Sequence, residues 1–108
     1  MVRYRVIALC AGLVLGSTAM MAAGKGDAAK GKVVFGYCTS CHNADSTEKK
    51  SGPGLKGLYK KDKLNNGKKP ADASVKARIE EGGGGMPPYR EMLSEAEKED
   101  LLAYLRTL

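Results

Sequence analysis

Residues 38–42 read Cys38-Thr39-Ser40-Cys41-His42, two thiols separated by two residues with an imidazole directly behind the second. Each thiol can add to one vinyl group of a haem, and the two-residue gap sets the sulfurs at a spacing that matches the vinyls. The histidine is then carried under the iron, where its ring becomes an axial ligand. The pattern reads as c-type haem attachment. Two other readings need more than the chain offers. A redox dithiol of the thioredoxin kind requires a βαβ surround, and no convincing strand is predicted anywhere. A structural zinc site requires four protein ligands, against Cys38, Cys41 and His42 here.

Working outward, His42 is the only histidine of the chain. A bis-histidine iron within one molecule is therefore excluded, and the sixth ligand must be another residue. Met86 follows four glycines, Gly82 to Gly85, and precedes Pro87-Pro88-Tyr89. Residues without side chains let the backbone pass close to a porphyrin face, while Pro87 drives Met86 into an extended conformation and Pro87-Pro88 stiffens the exit. A rigid loop presenting a soft thioether suits an iron that must keep its ligands when its charge changes, so Met86 is the expected second axial ligand. Met92, just before a capped helix, reads as core filler.

Gly52-Pro53-Gly54-Leu55 begins ten residues after His42. Taken alone it reads as a turn, although the Pro53 carbonyl is also able to accept from the histidine Nδ1–H, fixing the ring and raising its basicity.

The first residues are basic at Arg3 and Arg5, apolar from Val6 to Leu15 and small from Gly16 to Ala23. That is the layout of a secretory signal peptide cleaved near Ala23. The apolar run is short for a membrane span, so export to the periplasm is expected ahead of an uncleaved N-terminal membrane anchor. The predicted division is a signal peptide over 1–23 and a single domain over 24–108. Such a domain, of about 85 residues, buries too little surface to be comfortable without a staple. Cys10 leaves with the signal peptide, and a bridge from Cys38 to Cys41 would close too small a loop to restrain the unfolded chain. A large covalent cofactor is the staple that remains.

The formal charge of +6 falls to about +4 without Arg3 and Arg5. Eight lysines lie between Lys49 and Lys69 against Asp62 alone, whereas five acids lie between Glu91 and Asp100 beside Arg90 and Lys98. A surface so divided suits steering toward an acidic protein partner. Nucleic acid is not an expected partner, since no helix has a basic face and a single Phe leaves few stacking platforms. No substrate cleft or acid–base pair is evident, so neither a small-molecule substrate nor an enzyme activity is expected.

Three helices are predicted. The first runs from an Asp27 N-cap to Tyr37, the second from near Asp72 to Gly82 with Val75 and Ile79 one turn apart. The third opens on a Ser94/Glu97 capping box and carries a Leu101, Leu105, Leu108 stripe flanked by Leu102 and Tyr104.

Together these residues resemble the class I c-type cytochromes, in the small bacterial monohaem branch. The resemblance spans the helix entering Cys38 to His42, then Gly52 to Leu55, Met86 to Tyr89 and the final helix through Leu101-Leu102-Ala103-Tyr104-Leu105. It implies an all-α cytochrome c fold, three main helices with Gly/Pro/Lys-rich loops around one covalent haem c. It also implies thioether links at Cys38 and Cys41, axial His42 and Met86, and a Pro53 carbonyl bonded to His42. The first and last helices are implied to cross near a right angle, with Gly31 against Tyr104. Tyr59 either reaches a haem propionate or stands exposed among lysines. One departure is evident: the family places an aromatic four and a glycine eight residues before the first cysteine, and here Phe35 and Gly31 stand three and seven before it. Either a slip or a local irregularity of the first helix is expected, with Val34 or Phe35 packing on the haem. The function implied is a monomeric one-electron carrier between redox partners of a respiratory chain, docking at an exposed haem edge. The alternative is a cytochrome subunit held permanently by a dehydrogenase or reductase complex.

Overall fold

A computed structural model describes residues 26–108; the expected signal peptide over 1–23 lies outside them. The elements are three α-helices and two short 3₁₀ turns. Among the described residues there is no strand, only an isolated bridge between Gly83 and Met86.

Helix α1, Ala28–Val34, starts where the Asp27 carboxylate accepts from the amides of Ala29 and Lys30 at 2.8 and 3.2 Å. This satisfies two of the orphan donors of its first turn. The predicted continuation to Tyr37 exists, but at a tighter pitch: Phe35–Tyr37 is a 3₁₀ turn. That change of pitch is the local irregularity implied by the shifted aromatic. With three residues per turn, Phe35 and Cys38 fall one above the other. Cys38 N–H donates to the Phe35 carbonyl at 2.7 Å and Cys41 N–H to the Cys38 carbonyl at 3.1 Å. An aromatic three residues ahead of the first cysteine is thereby brought to the cysteine side.

Helix α2, Asp72–Glu81, opens with the Ser74 hydroxyl accepting from the Ala71 amide at 3.0 Å. It turns Val75 and Ile79 into the core and ends at Gly82, whose φ of +65° is open to glycine at little cost. Helix α3, Glu95–Leu105, carries the predicted capping box: Ser94 Oγ accepts from Glu97 N–H at 3.1 Å, and Glu97 Oε1 accepts from Ser94 N–H at 2.9 Å. Leu101, Leu102 and Leu105 are buried and Leu108 packs at the edge of the same core.

Helices α1 and α3 pack together at Gly31. A Cβ there would overlap the Asp100 carbonyl and stand 2.8 Å from Tyr104 Cβ, so only glycine permits this approach. The contact is extended by the Phe35 and Tyr104 rings, 5.3 Å apart and inclined by 52°, a favourable tilted arrangement. The Asp27 amide adds a bond to Asp100 Oδ1 at 2.8 Å.

Two side chains differ from their sequence reading. Met92 is 60% exposed and fills no core; its neighbour Leu93 is the buried residue. Lys98, read simply as a base among acids, is 2% exposed. It occupies the first position of the Leu101, Leu102, Leu105 stripe, and its ammonium donates to Glu80 on α2 at 2.8 Å and to Glu95 at 3.0 Å. Lys76 joins the same group through Glu95 at 2.9 Å and Glu99 at 3.4 Å. Hydrogen bonds from Lys76 first, then Lys98, pull the Glu95 carboxyl from 4.5 down to about 2. A depressed carboxylate stabilises the fold above its ordinary pKa and loses that contribution as the pH falls through the folded value. The thermal midpoint is therefore expected to decline between about pH 4.5 and pH 2, by a small amount because Glu95 is largely in water. Comparing wild type with Glu95→Gln across that range checks it: the variant should show a flatter decline.

Candidate haem site

The chain between α1 and α2 is laid back on the cysteine run by main-chain bonds. Gly52 N–H donates to the Cys41 carbonyl at 2.8 Å and Leu55 N–H to the Asn43 carbonyl at 2.7 Å. This brings Pro53 to His42, and the Pro53 carbonyl lies 2.7 Å from His42 Nδ1. A carbonyl can only accept, so Nδ1 is the donor, and in the neutral ring Nε2 is then left with its lone pair for a metal. Gly52 lies so close that an added Cβ would stand 2.5 Å from His42 Cε1 and 2.9 Å from Nδ1. The ring is thus held by one hydrogen bond and by close backbone packing.

A cavity of about 430 Å³ opens beside this histidine, within the range of small-molecule and cofactor sites. Cys38, Cys41 and His42 contribute to one part of its wall, Met86 and its glycines to another, and α2 and α3 supply apolar side chains such as Ile79 and Leu101. Phe35 lines it and Val34 does not, although both are buried; the 3₁₀ turn decides between them. Lys49 and Lys61 belong to the same wall, and six other lysines of the 49–69 stretch are exposed.

The donor set fits a covalent haem. Two thiols, a nitrogen with its proton assigned elsewhere, and a thioether share one largely apolar cavity, and a macrocycle there would be shielded from water. It does not fit a redox dithiol. Burial first, then the neighbouring Cys41, pushes the Cys38 thiol up to about 11, whereas such a dithiol needs a lowered pKa. Among the described residues no three His, Cys, Asp or Glu side chains gather as a metal-holding group.

Tyr59 is placed differently from the propionate expectation. It is absent from the cavity wall, and its hydroxyl donates to Asp72 Oδ1 at 2.8 Å. Burial, then that carboxylate, raises its pKa, so the ring ties the 3₁₀ turn Leu58–Lys60 to the start of α2. Arg106 at the end of α3 reaches the same Asp72 oxygen at 2.8 Å. A cavity residue that sequence reasoning missed is Arg78, on the Val75/Ile79 helix. It stands three residues after buried Val75 on the same helix, and that spacing was the available signal. Tyr89 also lines the cavity and donates to the Tyr37 carbonyl at 3.3 Å.

Among the described residues no helix is long and apolar enough to cross a membrane. The family model for cytochrome c matches residues 28–108. Cytochrome c6 of Synechocystis sp. is 36% identical over 92 residues, covering 84% of this chain and 70% of that protein. The solved structure of cytochrome cH from Methylobacterium extorquens superposes with a TM-score of 0.57 at 27% identity, covering 77% of this chain and all of that one. Its all-α architecture, cavity and sequence together show that the chain belongs to the cytochrome c family, electron carriers rather than enzymes, with one covalent haem c.

Proposed function

We propose that the chain is an exported, periplasmic one-electron carrier whose haem is linked at Cys38 and Cys41 and closed on both faces by His42 and Met86. The observation that carries this reading is the 2.7 Å contact of His42 Nδ1 with the Pro53 carbonyl, which frees Nε2 in a cavity that also holds Met86. Bound there, haem supplies a ferric/ferrous couple, which a thioether ligand and burial tilt toward the ferrous form. The protein's part is to hold still. Pro53 keeps the imidazole in one tautomer and orientation, the Gly82–Gly85 backbone lets Met86 approach, and Ile79 and Leu101 help to exclude water. Ligands that stay in place keep reorganisation small.

Lys49 and Lys61 put positive charge in the cavity wall, and the exposed lysines of the 49–69 stretch are their neighbours in sequence. This favours brief, salt-sensitive encounters with acidic redox partners of a respiratory chain. The large hydrophobic side chains exposed among the described residues are Val33, Tyr37 and Met92. Three such residues are less than a permanently buried interface would need, which supports a free monomeric carrier over a fixed subunit.

Potentiometric titration of the holoprotein is expected to give one reversible one-electron step, and the ferrous protein should bind carbon monoxide slowly. A high-spin ferric spectrum with rapid carbon monoxide binding would instead mark an open iron, as a peroxidase or gas-binding protein needs.

A further inference from the structure

The four glycines before Met86 all stand at positive φ: +65°, +119°, +61° and +94° for Gly82 to Gly85. Such a segment has no side chain to fasten it, and ordering glycine costs more entropy than ordering any other residue. A ligand that must hold its place through a change of charge nevertheless needs a fixed base. The main chain supplies part of it: Gly83 N–H donates to the Met86 carbonyl at 2.9 Å, and Met86 N–H to the Gly83 carbonyl at 3.1 Å. Those two bonds close the loop on itself. The main chain meets α2 only at the loop's flanks, where Gly82 N–H donates to the Arg78 carbonyl at 2.9 Å and Tyr89 N–H to the Ile79 carbonyl at 2.9 Å. Gly83 to Met86 are left without a main-chain bond to the helix.

Arg78 supplies the tie. From α2 its Nη1 donates to the Gly82 carbonyl at 3.3 Å and its Nη2 to the Gly83 carbonyl at 3.1 Å. Among the described residues no other side chain hydrogen-bonds the stretch from Gly82 to Met86. The guanidinium also lies against the loop: a Cβ at Gly83 would stand 3.0 Å from Nη1, and one at Gly84 3.2 Å from Nη2. Arg78 is half-buried in the cavity wall, on a helix anchored in the core by Val75 and Ile79.

We propose that Arg78 is the positioning residue for Met86, a fork that fastens the glycine loop to α2 and so limits how often the thioether leaves the iron. The proposal rests on the reading of Met86 as axial ligand. A planar guanidinium can take two carbonyls at once, which a lysine ammonium on a flexible stem does less well. Its charge at the cavity wall also favours the less positive, ferrous state.

The test uses the full holoprotein with Arg78→Met and Arg78→Lys. Three quantities are read: the rate at which imidazole displaces the sixth ligand, deuterium-exchange protection of the Gly83 and Met86 amides, and the midpoint potential. In Arg78→Met, imidazole entry should quicken about tenfold or more, the scale of losing hydrogen bonds from a charged donor. Amide protection should fall, and the potential should fall with it. In Arg78→Lys the loop should loosen similarly while the potential stays near wild type. A lowered thermal midpoint with imidazole entry and protection unchanged would mean that Arg78 merely supports the fold, and would overturn the proposal. The wild-type ferric spectrum separates the two possible failures. If its sulfur-to-iron band is present and imidazole entry does not change in Arg78→Met, the clamp is wrong. If the band is absent, the reading of Met86 is wrong and the positioning role falls with it, while amide protection lost in Arg78→Met would still show that Arg78 fastens the glycine loop.

Discussion

Met86→Ala is expected to lower the midpoint potential by on the order of 0.2 V, a fraction of the roughly 0.8 V range over which axial ligands set haem potentials. The same variant should bind carbon monoxide quickly, because the thioether no longer competes for the iron. The size of the effect follows from where Met86 sits. It is half-buried against the core, at the end of a loop whose close approach depends on glycine. At Gly82 a Cβ would overlap the Met86 carbonyl and stand 2.7 Å from the Pro87 carbonyl carbon. No neighbouring side chain replaces Met86: His42 is the sole histidine, and Met92 lies exposed outside the cavity. Redox titration and carbon monoxide stopped-flow measure the two effects together. A potential within a few tens of millivolts of wild type, with carbon monoxide binding still slow, would show that Met86 is not a ligand.

Gly31→Ala is expected to cost about 3 kcal/mol or more, at the upper end for overpacking, and to shift the denaturant midpoint of the holoprotein accordingly. The added methyl would overlap the Asp100 carbonyl and press on Tyr104 Cβ. Both belong to α3, whose backbone cannot turn aside as a flexible side chain could. The helices would have to separate, and the Phe35–Tyr104 ring contact would loosen with them. Against a marginal total stability of about 5–15 kcal/mol that is a large fraction. Because α1 leads directly into Cys38, the variant should also accumulate poorly as holoprotein. A control at Gly36, where a Cβ meets nothing within 4 Å, should leave the midpoint nearly unchanged.

What was legible in the sequence was mostly local. The Asp27 cap, the Ser94/Glu97 box and the Gly82 stop each depend on residues within four positions, so their chemistry could be read directly. Cys38, Cys41, His42 and Met86 were identified from motif and loop chemistry and Pro53 from the family resemblance, and all of them line one cavity. What escaped was set by distant partners. Lys98 was counted among surface charges because Glu80, eighteen residues away, is what makes its burial tolerable. Tyr59 turned to Asp72, thirteen residues on, a contact that no periodicity announces. Arg78 was not singled out although Gly82 and Gly83 stand only four and five residues on, because spacing alone does not say that its guanidinium turns back onto their carbonyls. The shift of Phe35 was visible, but its cause, a change from 3.6 to three residues per turn, lay in the backbone.

The most direct test of the closed His42/Met86 iron is the visible spectrum of the ferric wild-type holoprotein. A weak band at the red end, from sulfur-to-iron bonding, is predicted in the wild type and should vanish in Met86→Ala. A wild-type ferric spectrum without it would contradict the axial assignment, and with it the reading of this cavity as a closed one-electron site.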